Sequence, residues 1–315
     1  MRPAWTVLVV IVAVWRSPAA VAVPRVTSLV DNAGRVESLT TTPNGQTAYC
    51  LDIDSGGITA IDPFVAERRR DVVRPAAHRE ARPVAIAALP GDVIGTVCRQ
   101  DDGWMLRTFR VRPEPVVEAA DEVRLGQAAG TAARVCVVAS ASRDWLAISG
   151  LPPPLPSLWR GVCAAAGVRP LPAAGGRTAE LAGPVVAIAV SPSDQLAVFT
   201  AEDGESAELS YRAAAGRELL RLNTGLAGIR AAAFTRDDGC LWVLAAPPAA
   251  TGQPAGLWRI DATFRDGLQG ARPVCVVELD GPQALAAVSS HSLLAVIGQQ
   301  ERSVVRIDVV EEEHP

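Results

Sequence analysis

Apolar and polar positions follow a segment that returns six times at roughly 50-residue spacing, and fixed-period self-similarity of that length indicates an array or a propeller. One copy begins with a small apolar run, Val84-Ala85-Ile86-Ala87-Ala88-Leu89, closed by the turn Pro90-Gly91-Asp92. A second apolar run follows, Val93 to Cys98, then the polar hairpin Gln100 to Gly103, then a third strand from Trp104 to Val111. The first-strand turn recurs at Thr42-Pro43-Asn44-Gly45, Ser140 to Asp144, Ser191-Pro192-Ser193-Asp194, Thr235 to Asp238 and Ser289-Ser290-His291. Pro, Asn, Asp and Gly supply the backbone angles such turns need.

The third strand repeats most clearly. Ile58 to Asp62, Leu257 to Asp261 and Val304 to Asp308 alternate apolar and polar residues, as half-buried strands do. Fourth strands are expected at Arg70 to Val73, Pro115 to Val123, near Thr178 to Leu181, at Glu218 to Leu222 and at Pro273 to Leu279. The sixth unit lacks one. Arg25 to Asp31 resembles Val276 to Asp280 and is unused at the other end, so it is expected to supply that strand. The reading is all-β: a closed propeller of six four-stranded blades, its ring closed by the N-terminal strand. Closure removes exposed sheet edges. A divergent seventh blade within Pro113 to Thr131 stays open.

Thr42-Pro43-Asn44-Gly45-Gln46-Thr47-Ala48-Tyr49-Cys50, followed by Asp54-Ser55-Gly56-Gly57-Ile58-Thr59-Ala60-Ile61-Asp62, resembles the bacterial YVTN-type (WD40-like) β-propeller repeat. Ser191 to Val198 is similar. The resemblance implies a propeller. It implies no single activity and no catalytic residues.

Residues 1–22 read as a secretory signal: Arg2, an apolar core from Trp5 to Trp15, and the small-residue site Ala20-Val21-Ala22. The core is too short to span a bilayer. A retained signal anchor is the alternative. The expected domains are therefore 1–22 signal, 23–310 propeller and 311–315 acidic tail, the protein being secreted or periplasmic. The formal charge of −4 becomes −6 once Arg2 and Arg16 leave, which offers no electrostatic footprint for nucleic acid. All the strong cations are Arg. This composition is read as a GC-rich coding bias.

The six cysteines form no C-x-x-C, and most fall inside strands as small buried hydrophobes. Cys50 and Cys98 lie on second strands of neighbouring blades, one position out of register, and are the expected disulfide. No Lys exists to complete a P-loop, and neither H-E-x-x-H nor G-x-S-x-G is present. The histidines, His78, His291 and His314, are too few and scattered for an imidazole metal site. The Asp-Gly hairpins lack the calcium-loop spacing and read as turn chemistry. Trp159 and Trp258, at equivalent third-strand positions, read as packing between blades. No cofactor or metal is expected.

One column carries candidate chemistry. The residue six before each turn marker reads Glu37, Val84, Arg134, Val186, Arg230 and Gln283. In a closed ring these starts of the innermost strands surround one mouth of the central channel. Glu37, Arg134, Arg230 and Gln283 are the candidate binding residues there, because Arg forks suit carboxylate or phosphate. A binding or scaffold module for an extracytoplasmic protein, peptide or glycan is the first reading, acting as a monomer. A lactonase-type hydrolase with Glu37 as acid or base is the alternative. No catalytic residue is assigned.

Overall fold

The computed structural model describes residues 24–74, 81–101, 103–111, 119–127, 134–140, 142, 144–164, 167–170, 181, 183–202, 204–213, 218–235, 240–261 and 273–309. The expected signal, the acidic tail, His78 and His314 lie outside them. No helix among the described residues is long and apolar enough to cross a membrane.

The chain forms six four-stranded antiparallel sheets, each a blade of a β-propeller. Blade 1 holds β2 (Val36–Thr41), β3 (Ala48–Asp52), β4 (Ile58–Ile61) and β5 (Arg69–Val73). Blade 2 holds β6 (Arg82–Leu89), β7 (Val93–Gln100), β8 (Gly103–Arg110) and β9 (Asp121–Gly126). Blade 3 holds β10 (Cys136–Ala139), β11 (Trp145–Ser149), β12 (Leu158–Ala164) and β13 (Gly167–Pro170). Blade 4 holds β14 (Val185–Val190), β15 (Leu196–Thr200), β16 (Ser206–Arg212) and β17 (Glu218–Ala227). Blade 5 holds β18 (Ile229–Phe234), β19 (Cys240–Ala245), β20 (Gly256–Asp261) and β21 (Val274–Glu278).

Blade 6 combines β22 (Ala284–Ala287), β23 (Ser292–Ile297) and β24 (Ser303–Asp308) with β1 (Arg25–Val30). β1 pairs antiparallel with β24, Arg25 opposite Asp308 and Ser28 opposite Val305. The N-terminal strand therefore closes the ring as its sequence predicts. β9 lies within the stretch where a seventh blade stays open in the sequence, and it belongs to blade 2. The fourth strand of blade 3 corrects the sequence reading: it is Gly167–Pro170, returning directly from β12, whereas residues 178–180 of the expected strand lie outside the described residues.

The core sits between blades. Successive strand residues point to opposite faces, and the second strands are therefore mostly apolar on both faces. Leu241, Val243 and Ala245 pack toward blade 4, while Trp242 and Leu244 pack toward blade 6. The cluster joining Leu29, Val30, Leu39 and Cys50 to Leu294 and Val304 welds blade 6 to blade 1. Trp159 packs in the seam of blades 2 and 3, and Trp258 in that of blades 4 and 5, as their repeat positions suggest.

The expected Cys50–Cys98 bridge is absent, and both are free, buried thiols. The pleat is the reason. Tyr49 and Leu51 face blade 2, which turns Cys50 the other way, into the seam with blade 6. Burial pushes the Cys50 thiol up to about 12 and that of Cys98 up to about 11, the latter opposed by its hydrogen bond with Thr96.

Candidate binding site at the channel mouth

Four innermost strands carry the same irregularity near their start. Pairing skips one residue between Val36 and Ser38, Pro83 and Ala85, Val185 and Ala187, and Ile229 and Ala231. The skipped residues are Glu37, Val84, Val186 and Arg230. A bulge of this kind leaves its extra residue out of the ladder and re-aims its side chain. In blades 3 and 6 the equivalent residues, Arg134 and Gln283, stand just ahead of β10 and β22. The sequence column is thus a ring of positions at one end of the channel, four of them freed from strand pairing by a bulge, while Gln283 N still donates to Val296 O at 2.8 Å.

Glu37, Arg134 and Arg230 line one cavity of about 420 Å³ that runs between the innermost strands. Ser38, Val137, Ala231 and Ala233 line it further in, and Pro43, Ser140 and Pro192 are at its far end. Arg134 Nη2 donates to the main-chain oxygen of Gln283. Blades 3 and 6 are opposite in a ring of six, so this side chain crosses the mouth. Gln283 contributes its carbonyl.

Glu37 is already engaged. Its Oε1 accepts from Arg302 Nη2 at 3.1 Å and lies 3.5 Å from Arg35 Nε. Arg302 is buried and also donates through Nη1 to Val36 O at 2.8 Å. Arg35 reaches Asp54 Oδ1 at 3.3 Å on the exposed rim. The sequence column does not reveal Arg35 and Arg302, because they come from the β1–β2 link and the β23–β24 hairpin. The one available signal is that both loops open on this face.

Four guanidiniums therefore meet two carboxylates among the described residues, and both carboxylates are held by Arg35 and Arg302. Among the described residues Arg134 and Arg230 have no carboxylate partner. Burial holds the Arg134 pKa below its ordinary value; the neighbouring Cys136 opposes this, Arg230 adds to it, Glu37 opposes it and Arg302 adds again. An anion entering the mouth would relieve the repulsion among these cations. Cys136 itself lies in the cavity wall, at a position the sequence column does not include. Burial raises its thiol pKa, and its Sγ lies 3.8 Å from Val186 O, which it faces as a donor. Burial thus works against its use as a nucleophile, and the neighbouring Arg134 opposes that shift.

The loop Leu151 to Pro156 opens on the same face. Leu151 is buried in the seam of blades 2 and 3, Leu155 packs beside it, and Leu155 N donates to Pro152 O at 3.1 Å. His291 is in the β22–β23 turn at the opposite end. The Asp52 hairpin is turn chemistry: its Oδ1 accepts from Asp54 N at 3.0 Å and its Oδ2 from Ser55 Oγ at 2.9 Å. Among the described residues no three or more His, Cys, Asp or Glu side chains gather as a metal site.

No protein-family model matches the chain, and no curated protein matches its sequence. Solved structures do match its fold over nearly their full length. The PQQ-bound aldose sugar dehydrogenase of Streptomyces coelicolor is 14% identical, covers 91% of this chain and 98% of its own, and has a TM-score of 0.60. A putative oxidoreductase (glucose dehydrogenase) of Thermus thermophilus is 14% identical, with 90% and 99% covered and a TM-score of 0.62. The soluble aldose sugar dehydrogenase of Escherichia coli, in its apo form, is 10% identical, with 91% and 100% covered and a TM-score of 0.61. At such identities the likeness is one of fold.

Proposed function

We propose that this chain is an exported β-propeller that serves as a binding module. It docks an extracytoplasmic protein, peptide or glycan on the face around the channel mouth and acts there as a monomer. The observation that carries this reading is the pair Arg134 and Arg230, cationic and, among the described residues, without a carboxylate partner, at the opening of a cavity of about 420 Å³. Guanidinium forks recognise anionic groups with defined geometry. The secretory-type N-terminus supports an extracytoplasmic setting.

The hydrolase alternative asks Glu37 to exchange protons with a substrate. Its carboxylate is instead spent on Arg302 and Arg35. Glu37 reads better as the anchor that holds those two cations at the rim.

Capture from envelope and medium fractions tests the docking reading. Residues 23–315 as bait are expected to retain a saturable partner that the folded variant Glu37→Ala/Arg134→Ala/Arg230→Ala loses. A partner held equally by both would move the site to the outer loops, and capture of nothing would overturn the reading.

A further inference from the structure

We propose that the channel mouth accepts a carboxylate carried on a slender apolar stem, the carboxylate on Arg134 and Arg230 and the stem inside the channel. This rests on the docking reading for the choice of face and adds the chemistry of what enters.

The head group follows from charge. Arg134 spends one N–H on a neutral carbonyl, that of Gln283. A guanidinium has five donors in a planar fork, so it can take a carboxylate while keeping that bond. Arg230 is exposed beside it and makes no ion pair among the described residues. Glu37 lies at the same mouth and would oppose a dianion more than a monoanion. A single carboxylate therefore suits the site better than a phosphate.

The stem follows from the wall. Below the arginines the channel is lined by Val137, Val138, Ala231, Ala233, Leu285 and Ala287. The hydroxyls along it are turned to neighbouring strands. Ser38 Oγ accepts from Ile86 N and Thr40 Oγ1 from Ala88 N, each at 3.1 Å, and Thr41 Oγ1 donates to Ala287 O at 2.7 Å. The six innermost strands also present their free edges to the channel, so main-chain N–H and C=O groups share the wall with these side chains. A stem of small apolar residues pairs its own amides with those groups, and an alkyl stem packs against Val137 and Leu285. A cavity of about 420 Å³ lies within the ~300–1,000 Å³ of ordinary ligand pockets.

The same chemistry has two sources, a free alkyl monocarboxylate and the C-terminus of a peptide ending in small apolar residues. Titration calorimetry of the purified chain with octanoate, and with tetra-alanine bearing a free or an amidated C-terminus, separates them. At least one free carboxylate is expected to saturate a single site, while octan-1-ol, octylamine and the amidated peptide do not. Arg134→Gln and Arg230→Gln should each weaken binding by roughly tenfold or more. Ala233→Leu, which narrows the shaft, should weaken octanoate more than butyrate. Arg230 is exposed, so its variant keeps the fold, and the melting temperature of each variant checks this.

Binding unchanged in both Arg variants, octan-1-ol binding as tightly as octanoate, or octyl phosphate binding more tightly overturns the proposal. No carboxylate uptake with a partner still captured from the envelope overturns this inference and leaves the docking reading standing. Carboxylate uptake with no partner captured overturns the docking reading and keeps the channel site.

Discussion

The guanidinium of Arg134 reaches across the channel mouth to the main-chain oxygen of Gln283 on the opposite blade. It ties together two parts of the ring separated by two intervening blades on either side. The bond uses a neutral acceptor, so among the described residues Arg134 keeps its charge without a carboxylate bonded to it, with Glu37 acting only at a distance.

That relationship makes a specific prediction for Gln283. Because the carbonyl accepts, Gln283→Ala should change urea stability by less than about 0.5 kcal/mol and leave binding intact. Arg134→Ala should abolish most binding. A large loss in Gln283→Ala would show that its side chain takes part.

The closing strand should matter to stability through its buried face. Leu29 is 2% exposed and packs between blades 6 and 1, whereas Val26 on the same strand is 42% exposed. Leu29→Ala should cost about 2–5 kcal/mol, and Val26→Ala within about 0.5 kcal/mol. Chemical denaturation of the two variants checks the contrast; equal effects would mean that the ring is not closed by this strand.

Hydroxyls on β2 stand in for strand pairing between blades. Ile86 is buried and its N–H donates to Ser38 Oγ. Ser38→Ala removes that acceptor, so it should destabilise by about 1–3 kcal/mol. Urea titration measures this, and a neutral result would show that the bond adds nothing to stability.

The Cys50 thiol predicts a pH dependence. Its folded pKa, about 12, lies above the ordinary 9.0 because of burial. In the unfolded chain the thiol loses its proton near pH 9 while the folded chain still holds it. Its stabilising contribution is therefore complete below pH 9 and is lost as the pH rises toward 12, at up to about 1.4 kcal/mol per pH unit. Cys50→Ala should flatten the fall in stability measured above about pH 9, and native Cys50 should resist thiol alkylation until denaturant is added. Parallel pH curves for wild type and variant would contradict this.

Much of the fold is legible because the inner three strands of each blade are anchored by turns and buried on both faces. Fourth strands are less so. They lie outermost, where β5 begins with exposed Arg69, Arg70 and Asp71 and alternation carries little signal. In blade 3 the strand is only four residues long, Gly167–Pro170, and its composition does not announce it. The channel column is readable by counting back from the turns, since each bulge falls at the same distance. The disulfide expectation fails on strand parity: a shift of one residue sends Cys50 to the opposite face. Arg302 escapes because it arrives from a hairpin rather than from the column.

Recognition at the channel mouth stands or falls on charge reversal there. Arg230→Glu, with Arg68→Glu as a control on the exposed β4–β5 hairpin at the other end of the ring, would be compared with the wild type in quantitative partner capture. Arg230→Glu is expected to weaken affinity by about a hundredfold, which removes up to about 99% of capture when the bait is held well below the wild-type Kd, while Arg68→Glu retains it. Equal capture by all three would place recognition away from the channel mouth and contradict the proposed site.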